Sequence, residues 1–323
     1  MAEIYVGNTD NKWFDFLSQR APWEEVNFWK PTPATFKAID EGGIFAFRLK
    51  SPRALIGGYG ILASAINVPI QFAWDGLGQA NGCASLGELV DAITKYRGGR
   101  DITPQSLFGC RVLIDPIFFP EDQWFPVPRD WSDNIVSGKT YSTDSDHGRE
   151  LYNRLMERTT VVRHLEKDRF GAFGFGSSAQ APMLGPVPEL ERFGKPSLIQ
   201  PRLGQQSFRI KIASIYNFSC ALSDTRVLPA LDAAHLKPYT SGGTHAPQNG
   251  IFLRKDIHSV FDSGYATFDT DFRFVVSERV KTDFNNGSEY RRLHGAKLRL
   301  PSANHLWPSQ ENLEWHRTER YRD

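Results

Sequence analysis

Cysteine is scarce in this chain. There are three in 323 residues, Cys83, Cys110 and Cys220, far apart and never in a CxxC pair. Their spacing argues against a disulfide framework and against a structural zinc knuckle, so no structural zinc is expected. Long apolar runs are also missing: no stretch of eighteen apolar residues occurs and the mean hydropathy is −0.41, so no membrane-spanning helix is expected. The opening segment, MAEIYVGNTDNKW, lacks a basic-then-apolar pattern, and a cytoplasmic location is the expectation. Nor is there an excess of one charge, since the net charge is +1. Bulk charge therefore does not by itself point to a nucleic acid.

What is present is ordinary in amount and uneven in distribution. Hydrophobic residues make up 40% and charged residues 23%, as in a soluble globular protein, and the length suggests about two domains. From Val187 onward there are 19 Lys+Arg against 15 Asp+Glu, leaving 19 against 22 upstream. The modest basic excess lies in the C-terminal part, where a phosphate-binding surface would need it.

One stretch concentrates the chemistry, Leu231 to Asp262, LDAAHLKPYTSGGTHAPQNGIFLRKDIHSVFD. Asn249 follows His235 by fourteen residues and precedes His258 by nine. Val227 to Leu236 is a strand candidate, Thr240 to Gln248 a loop turning at Gly242-Gly243, Gly250 to Leu253 a short strand, and Arg254 to Phe261 a helix. His258 and Asp262 then face the same way one helical turn apart, a nitrogen and a carboxylate of the kind that holds a divalent metal. His245, in a Gly/Thr/Pro loop, is expected to be simply solvated.

This stretch resembles the ββα-metal core of HNH nucleases. The similarity is greatest to the branch with AAH-x-x-P, N-G-x-x-L and D-x-H-x-x-F-D, here Ala233-Ala234-His235 with Pro238, Asn249-Gly250 with Leu253, and Asp256 to Asp262. The resemblance implies that His235 is the general base, that Asn249 ties the loop so that the histidine points correctly, and that His258 and Asp262 are metal ligands. A neutral imidazole suits proton transfer from water at pH 7, and a metal suits the charge developing on phosphate and leaving oxygen. There is one departure. Many HNH enzymes carry Asp or His immediately before the base, where this chain has Ala234. Asp232, two residues back on the strand, is the candidate substitute ligand. A site with so few protein ligands suits Mg²⁺, with Mn²⁺ as the alternative.

Upstream, Ala2 to about Arg158 carries short helices (Lys12–Arg20, Ser85–Tyr96) and strands (Gly43–Leu49, Ala54–Ala65, Cys110–Phe119). Ser85 with Glu88 forms a capping-box pattern, and Gly57, Gly58 and Gly60 inside a strand suggest a bulge or a close approach. Six tryptophans fall before residue 150. Through NFWKP (27–31), IGGYG (56–60), AWDGLGQANG (73–82) and DWSDNIVSGKTY (130–141), this half resembles the N-terminal half of bacterial HNH endonucleases. Those halves look related to the PUA-like barrels, which include the SRA, EVE and YTH readers of modified bases. An extruded base needs aromatic faces and a few polar groups. Trp29, Trp74, Asp75, Trp131, Asn134 and Tyr141 are of suitable type, although core packing is the more common fate of any one tryptophan.

Thr159 to about Leu203 is rich in Gly, Pro, Ser and Ala and is expected to link the domains. Ser207 to Tyr216 has a helical period. Arg202, Arg209, Lys211 and Arg254 are the candidate DNA-phosphate contacts. His316, near the terminal helix, is expected at the surface.

The expected fold class is α+β. A mixed α/β PUA-like barrel (residues 1–158) is joined by a Gly/Pro-rich linker (159–201) to a C-terminal ββα-metal nuclease domain (202–323). The expected function is a modification-dependent endonuclease acting on double-stranded DNA, as in restriction of modified phage DNA. The SRA-like resemblance makes 5-modified cytosine, such as 5-methylcytosine, the first candidate base. Cutting both strands needs two sites, which a homodimer would supply. Two alternatives stand beside this. One is a non-catalytic or RNA-directed reader with a degenerate HNH domain, which Ala234 favours. The other is a nuclease of unmodified DNA whose N-terminal half binds protein.

Overall fold

The computed structural model describes residues 3–99, 101–132, 134–171 and 204–323. Among the described residues, those within 1–67, 78–104 and 108–171 group as one compact unit, and those within 68–77, 105–107 and 204–323 as a second. Among the described residues no helix is long and apolar enough to cross a membrane.

The first unit is built on a mixed sheet. Its strands are β1 (Glu3–Thr9), β2 (Glu25–Asn27), β3 (Ile44–Leu49), β4 (Leu55–Pro69), β5 (Leu107–Phe118), β6 (Phe125–Pro126) and β7 (Gly138–Ser142), in the order β2-β5-β4-β3-β1-β7 with β6 on β4. β1 and β3 run parallel, whereas β1–β7, β3–β4 and β2–β5 are antiparallel. Among the described residues the expected barrel is therefore a seven-stranded sheet that does not close on itself, since its end strands, β2 and β7, do not pair. The glycines of β4 serve close approach: a Cβ on Gly58 would stand 2.2 Å from the carbonyl oxygen of Ile117, and one on Gly57 would stand 2.8 Å from the Phe14 ring.

Helix α1 (Asn11–Ser18) starts at Asp10, whose carboxylate accepts from the backbone N–H groups of Lys12 (2.9 Å) and Trp13 (3.2 Å). It buries Trp13, Phe14 and Leu17 against Phe47 and Phe28, and Trp13 Nε1 donates to the carbonyl of Asn27 at 3.0 Å. Helix α3 (Leu86–Tyr96) begins with a shifted form of the expected box, Glu88 reaching the residue before the N-cap. Ser85 Oγ accepts from Glu88 N, and the Glu88 carboxylate accepts from Ala84 N. Helix α4 (Asp146–Gly171) runs thirteen residues into the segment expected to be linker. The rest of that segment, from 172, lies outside the described residues.

The second unit takes a helix from far upstream. α2 (Ile70–Leu77) leaves β4 and belongs with α5 (Gln205–Ile215). Phe72 is buried and meets Phe218 and Phe252 edge-on, with ring centroids 5.7 and 6.4 Å apart. Burying one such ring is worth roughly 1.5–3 kcal/mol, so α2 is a structural part of this unit. Trp74 and Asp75, expected in a base pocket upstream, sit on α2 in the second unit instead.

The remaining elements follow in order. β8 (Leu231–His235) and β9 (Gly250–Arg254) form an antiparallel pair with His235 opposite Gly250, and α6 (Lys255–Asp262) leaves β9 directly. β10 (Ala266–Phe268) pairs with β11 (Phe274–Val276), and α7 (Arg279–Phe284), α8 (Ser288–Arg291) and α9 (Gln310–Glu319) complete the unit. His316 of α9 is 2% exposed, not a surface residue. Its ring stacks on Phe261 at 3.7 Å and bonds to Thr267 Oγ1 and the Phe261 carbonyl.

Candidate active site and aromatic pocket

The β8–β9–α6 unit gathers the histidines of the motif. β8 ends in His235, and the fourteen residues that follow fold back before β9 begins. Gly243 makes that loop tight, because a Cβ there would stand 1.8 Å from the Lys237 carbonyl oxygen, and its N–H donates to Pro238. Asn249, fully buried, clamps the loop from inside. Its Oδ1 accepts from Lys237 N (2.9 Å), while Nδ2 donates to the carbonyls of Lys237 (2.8 Å) and Thr244 (2.7 Å). Gly250 lets α5 come close, since a Cβ there would meet Ile212 and Phe208 at 2.5 and 2.6 Å. Phe208 then lies face-on to the His235 ring, 4.0 Å between centroids and 13° between planes.

His235 has a partner that the sequence did not suggest. Its Nε2 is 2.9 Å from His245 Nδ1, and the His245 ring stacks on Tyr239 at 5.4 Å and 6°. Burial first, then the charges of His245 and His258, push the His235 pKa down to about 4. The ring is thus neutral at pH 7 and able to accept a proton. Burial also lowers the pKa of His245. A histidine in a Gly/Thr/Pro loop looks solvated from sequence; only the folded loop brings it back onto β8.

His258 stands between two carboxylates. Its Nε2 is 3.0 Å from Asp262 Oδ2 and its Nδ1 is 3.9 Å from Asp232 Oδ2. Burial, the largest influence, opposes protonation of His258, but the hydrogen bond to Asp262 and the charges of Asp262 and Asp232 together outweigh it and raise the pKa. A cation here would replace that proton. An imidazole with carboxylates suits a hard divalent ion by donor type. The arrangement offers His258 with Asp262 or His258 with Asp232, because the two acids sit on opposite nitrogens of one ring. Among the described residues no group of three such side chains is arranged to hold a metal. Asp232 is further engaged by Arg209, whose Nε is 3.1 Å from Oδ1. Ala234 is fully buried.

Three of the basic residues expected to face DNA can be placed. Arg209 is taken up by Asp232 and lies over the Phe72 ring, so it is not a free phosphate contact. Arg254 is paired with Asp256. Lys211 is half-buried on α5. Arg202 lies outside the described residues. His235, His245, His258, Asp232, Asp262 and Lys255 share a cleft of about 720 Å³ with Asp75 of α2.

A separate cavity of about 260 Å³ lies in the first unit. Trp29 and Tyr96 flank it with ring centroids 6.1 Å apart, and Trp13, Phe28, Asp10, Lys30 and Lys50 also line it. Burial, then the charges of Arg111 and Lys50, lower the Lys30 pKa. Trp29 is the expected pocket residue that lines this cavity, held by an Nε1 bond to the Asn81 carbonyl (2.9 Å). Trp131 is covered by the Arg48 guanidinium, 4.9 Å from its ring. Asn134 is exposed outside the cavity, and Tyr141 is 4% exposed, its ring packed away in β7. Lys30, Lys50 and Tyr96 escaped the sequence reading. NFWKP carried a signal for Lys30, whereas Lys50 and Tyr96 come together only through the fold.

Residues 220–269 match the family model described as HNH endonuclease. No curated protein matches. Among solved structures, the chain is similar to ASCH from Zymomonas mobilis at 7% identity and a TM-score of 0.34, covering 46% of this chain and 94% of that one. It is also similar to the modification-dependent TagI restriction endonuclease at 10% identity and a TM-score of 0.27, covering 93% of this chain and 76% of that one. At these scores the two structural likenesses carry no weight of their own.

Proposed function

We propose, from the HNH endonuclease domain of residues 220–269, that this chain is a metal-dependent endonuclease directed to modified double-stranded DNA. The observation that carries the reading is one cleft holding the half-buried His235 beside the His258 and Asp262 pair, with Asn249 clamping the loop between them. In the proposed mechanism His235 takes a proton from water, and the water oxygen attacks a backbone phosphate in line with the leaving 3′ oxygen. His258 with Asp262, or with Asp232, would hold a divalent cation, Mg²⁺ by preference. Such a cation supplies stabilisation of charge on phosphate and leaving group. The products would carry 5′-phosphate and 3′-hydroxyl ends.

The modified base is assigned to the cavity at Trp29. Trp29 offers a face for stacking and Lys30 a polar group for a base edge, whereas Tyr96 and Asp10 are engaged by Lys50. A 5-modified cytosine remains the first candidate because SRA-like readers favour it. Cleavage of both strands would use two copies of the chain. The test is incubation of the full chain with Mg²⁺ and matched duplexes, modified or plain at cytosine C5. Cleavage of the modified duplex alone supports the reading. Equal cleavage of both removes modification dependence, and no cleavage of either removes the nuclease assignment.

A further inference from the structure

We infer that His245 is the positioning residue of His235: it accepts the Nε2–H of His235 and so fixes the tautomer in which Nδ1 carries the lone pair. The inference rests on the proposed base role of His235. Its support is geometric. The two nitrogens are 2.9 Å apart, and among the described residues neither ring has another hydrogen-bond partner. Each ring is held in its plane by an aromatic face, His235 by Phe208 and His245 by Tyr239, with 62° between the two imidazoles. Their backbones are tied by one side chain. Asn249 bonds the carbonyl of Lys237, two residues after His235, and that of Thr244, directly before His245. The pair is thus built by the loop, and is not a chance contact of two mobile rings.

Proton counting, combined with the proposed base role, selects the tautomer. A neutral imidazole carries one N–H, and a hydrogen bond between two neutral rings uses one of them. If His245 donated, His235 would carry its proton on Nδ1 and spend its remaining lone pair on His245, leaving no basic nitrogen. If His235 donates, Nδ1 is unprotonated and available. In the reaction the O–H bond of water breaks and an N–H bond forms at His235 Nδ1. The resulting imidazolium keeps its Nε2–H on His245. The partner that orients a functional histidine is most often a carboxylate or a backbone carbonyl; here a second histidine takes that place.

The experiment uses the full chain labelled with ¹⁵N-histidine, its ring nitrogens observed by NMR at neutral pH, beside single-turnover cleavage of duplex DNA. The parent should show His235 protonated at Nε2 and unprotonated at Nδ1. His245→Ala should mix the tautomers of His235 and slow cleavage on the order of 10- to 100-fold, the loss typical of removing a partner that orients a metal-bound histidine. His245→Asn, whose amide oxygen can accept the same N–H, should keep the parent tautomer and restore most of the rate. A parent His235 protonated at Nδ1 overturns the inference. So does a His245→Ala protein with unchanged tautomer and rate, or a His245→Asn protein as slow as His245→Ala. If His245→Ala does not fold, the parent tautomer and the His245→Asn rate decide. A parent that cleaves no DNA counts against the base role instead, and the tautomer still tests His245.

Discussion

Asn249→Ala should unclamp the active-site loop. The Asn249 side chain is fully buried and makes three hydrogen bonds, all to backbone on the far side of the loop. Each is worth about 0.5–1.5 kcal/mol net, and the backbone groups left behind are part-buried, so the loss should be roughly 2–4 kcal/mol. Asn249→Asp should be worse than Asn249→Ala. It keeps the acceptor for Lys237 N but sets a carboxylate oxygen against the carbonyls of Lys237 and Thr244, which Nδ2 now serves. The assay is urea unfolding, with hydrogen exchange at the Lys237 amide as the local readout. Asn249→Ala should expose that amide to exchange and lower the unfolding midpoint. A Lys237 amide as protected in Asn249→Ala as in the parent would refute the clamp, and an Asn249→Asp protein as stable as the parent would refute the charge argument.

Three further outcomes follow from the same geometry. His258→Ala or Asp262→Ala should raise the Mg²⁺ concentration needed for half-maximal cleavage; metal titrations that overlay the parent would remove both as ligands. Burial, chiefly, lowers the His316 pKa from 6.5 to about 4. The unfolded chain therefore takes up the proton first, and the stabilisation present above about pH 6.5 is lost as pH falls toward 4. Melting temperature should drop over that window, less steeply in His316→Gln, and an identical slope in the variant would contradict the assignment. Trp29→Ala should weaken binding of modified duplex by roughly tenfold, as base–aromatic stacking is worth about 1–3 kcal/mol. Trp74→Ala, on α2, should leave discrimination between modified and plain duplex unchanged, and loss of discrimination in Trp74→Ala with none in Trp29→Ala would reverse the pocket assignment.

The part of the site legible in the sequence is the part encoded locally. Helical spacing is enough to bring His258 and Asp262 one turn apart, and the resemblance to HNH nucleases marked Asn249 as the tie of the loop. What escaped depends on contacts distant in the chain or on competition for partners. α2 leaves β4 as a continuous chain, so nothing nearby marks Trp74 and Asp75 as part of the nuclease unit; the reason is Phe72, buried against Phe218 and Phe252. Arg209 has the charge to meet phosphate, but Asp232, 23 residues on, takes it first. Tyr141 alternates inward on β7 and is lost to the core, although its neighbours look like pocket residues. His245 shows the opposite case, a loop residue returned to the site by a loop that Gly243 and Asn249 hold closed.

The general-base role of His235 is tested most directly by cleavage of C5-modified duplex by His235→Ala in Mg²⁺, with DNA binding measured alongside. Removing a general base costs about 10²–10⁴-fold. A loss of that order in single-turnover rate is expected, with binding nearly unchanged. A His235→Ala protein that cleaves at the parent's rate would contradict that role.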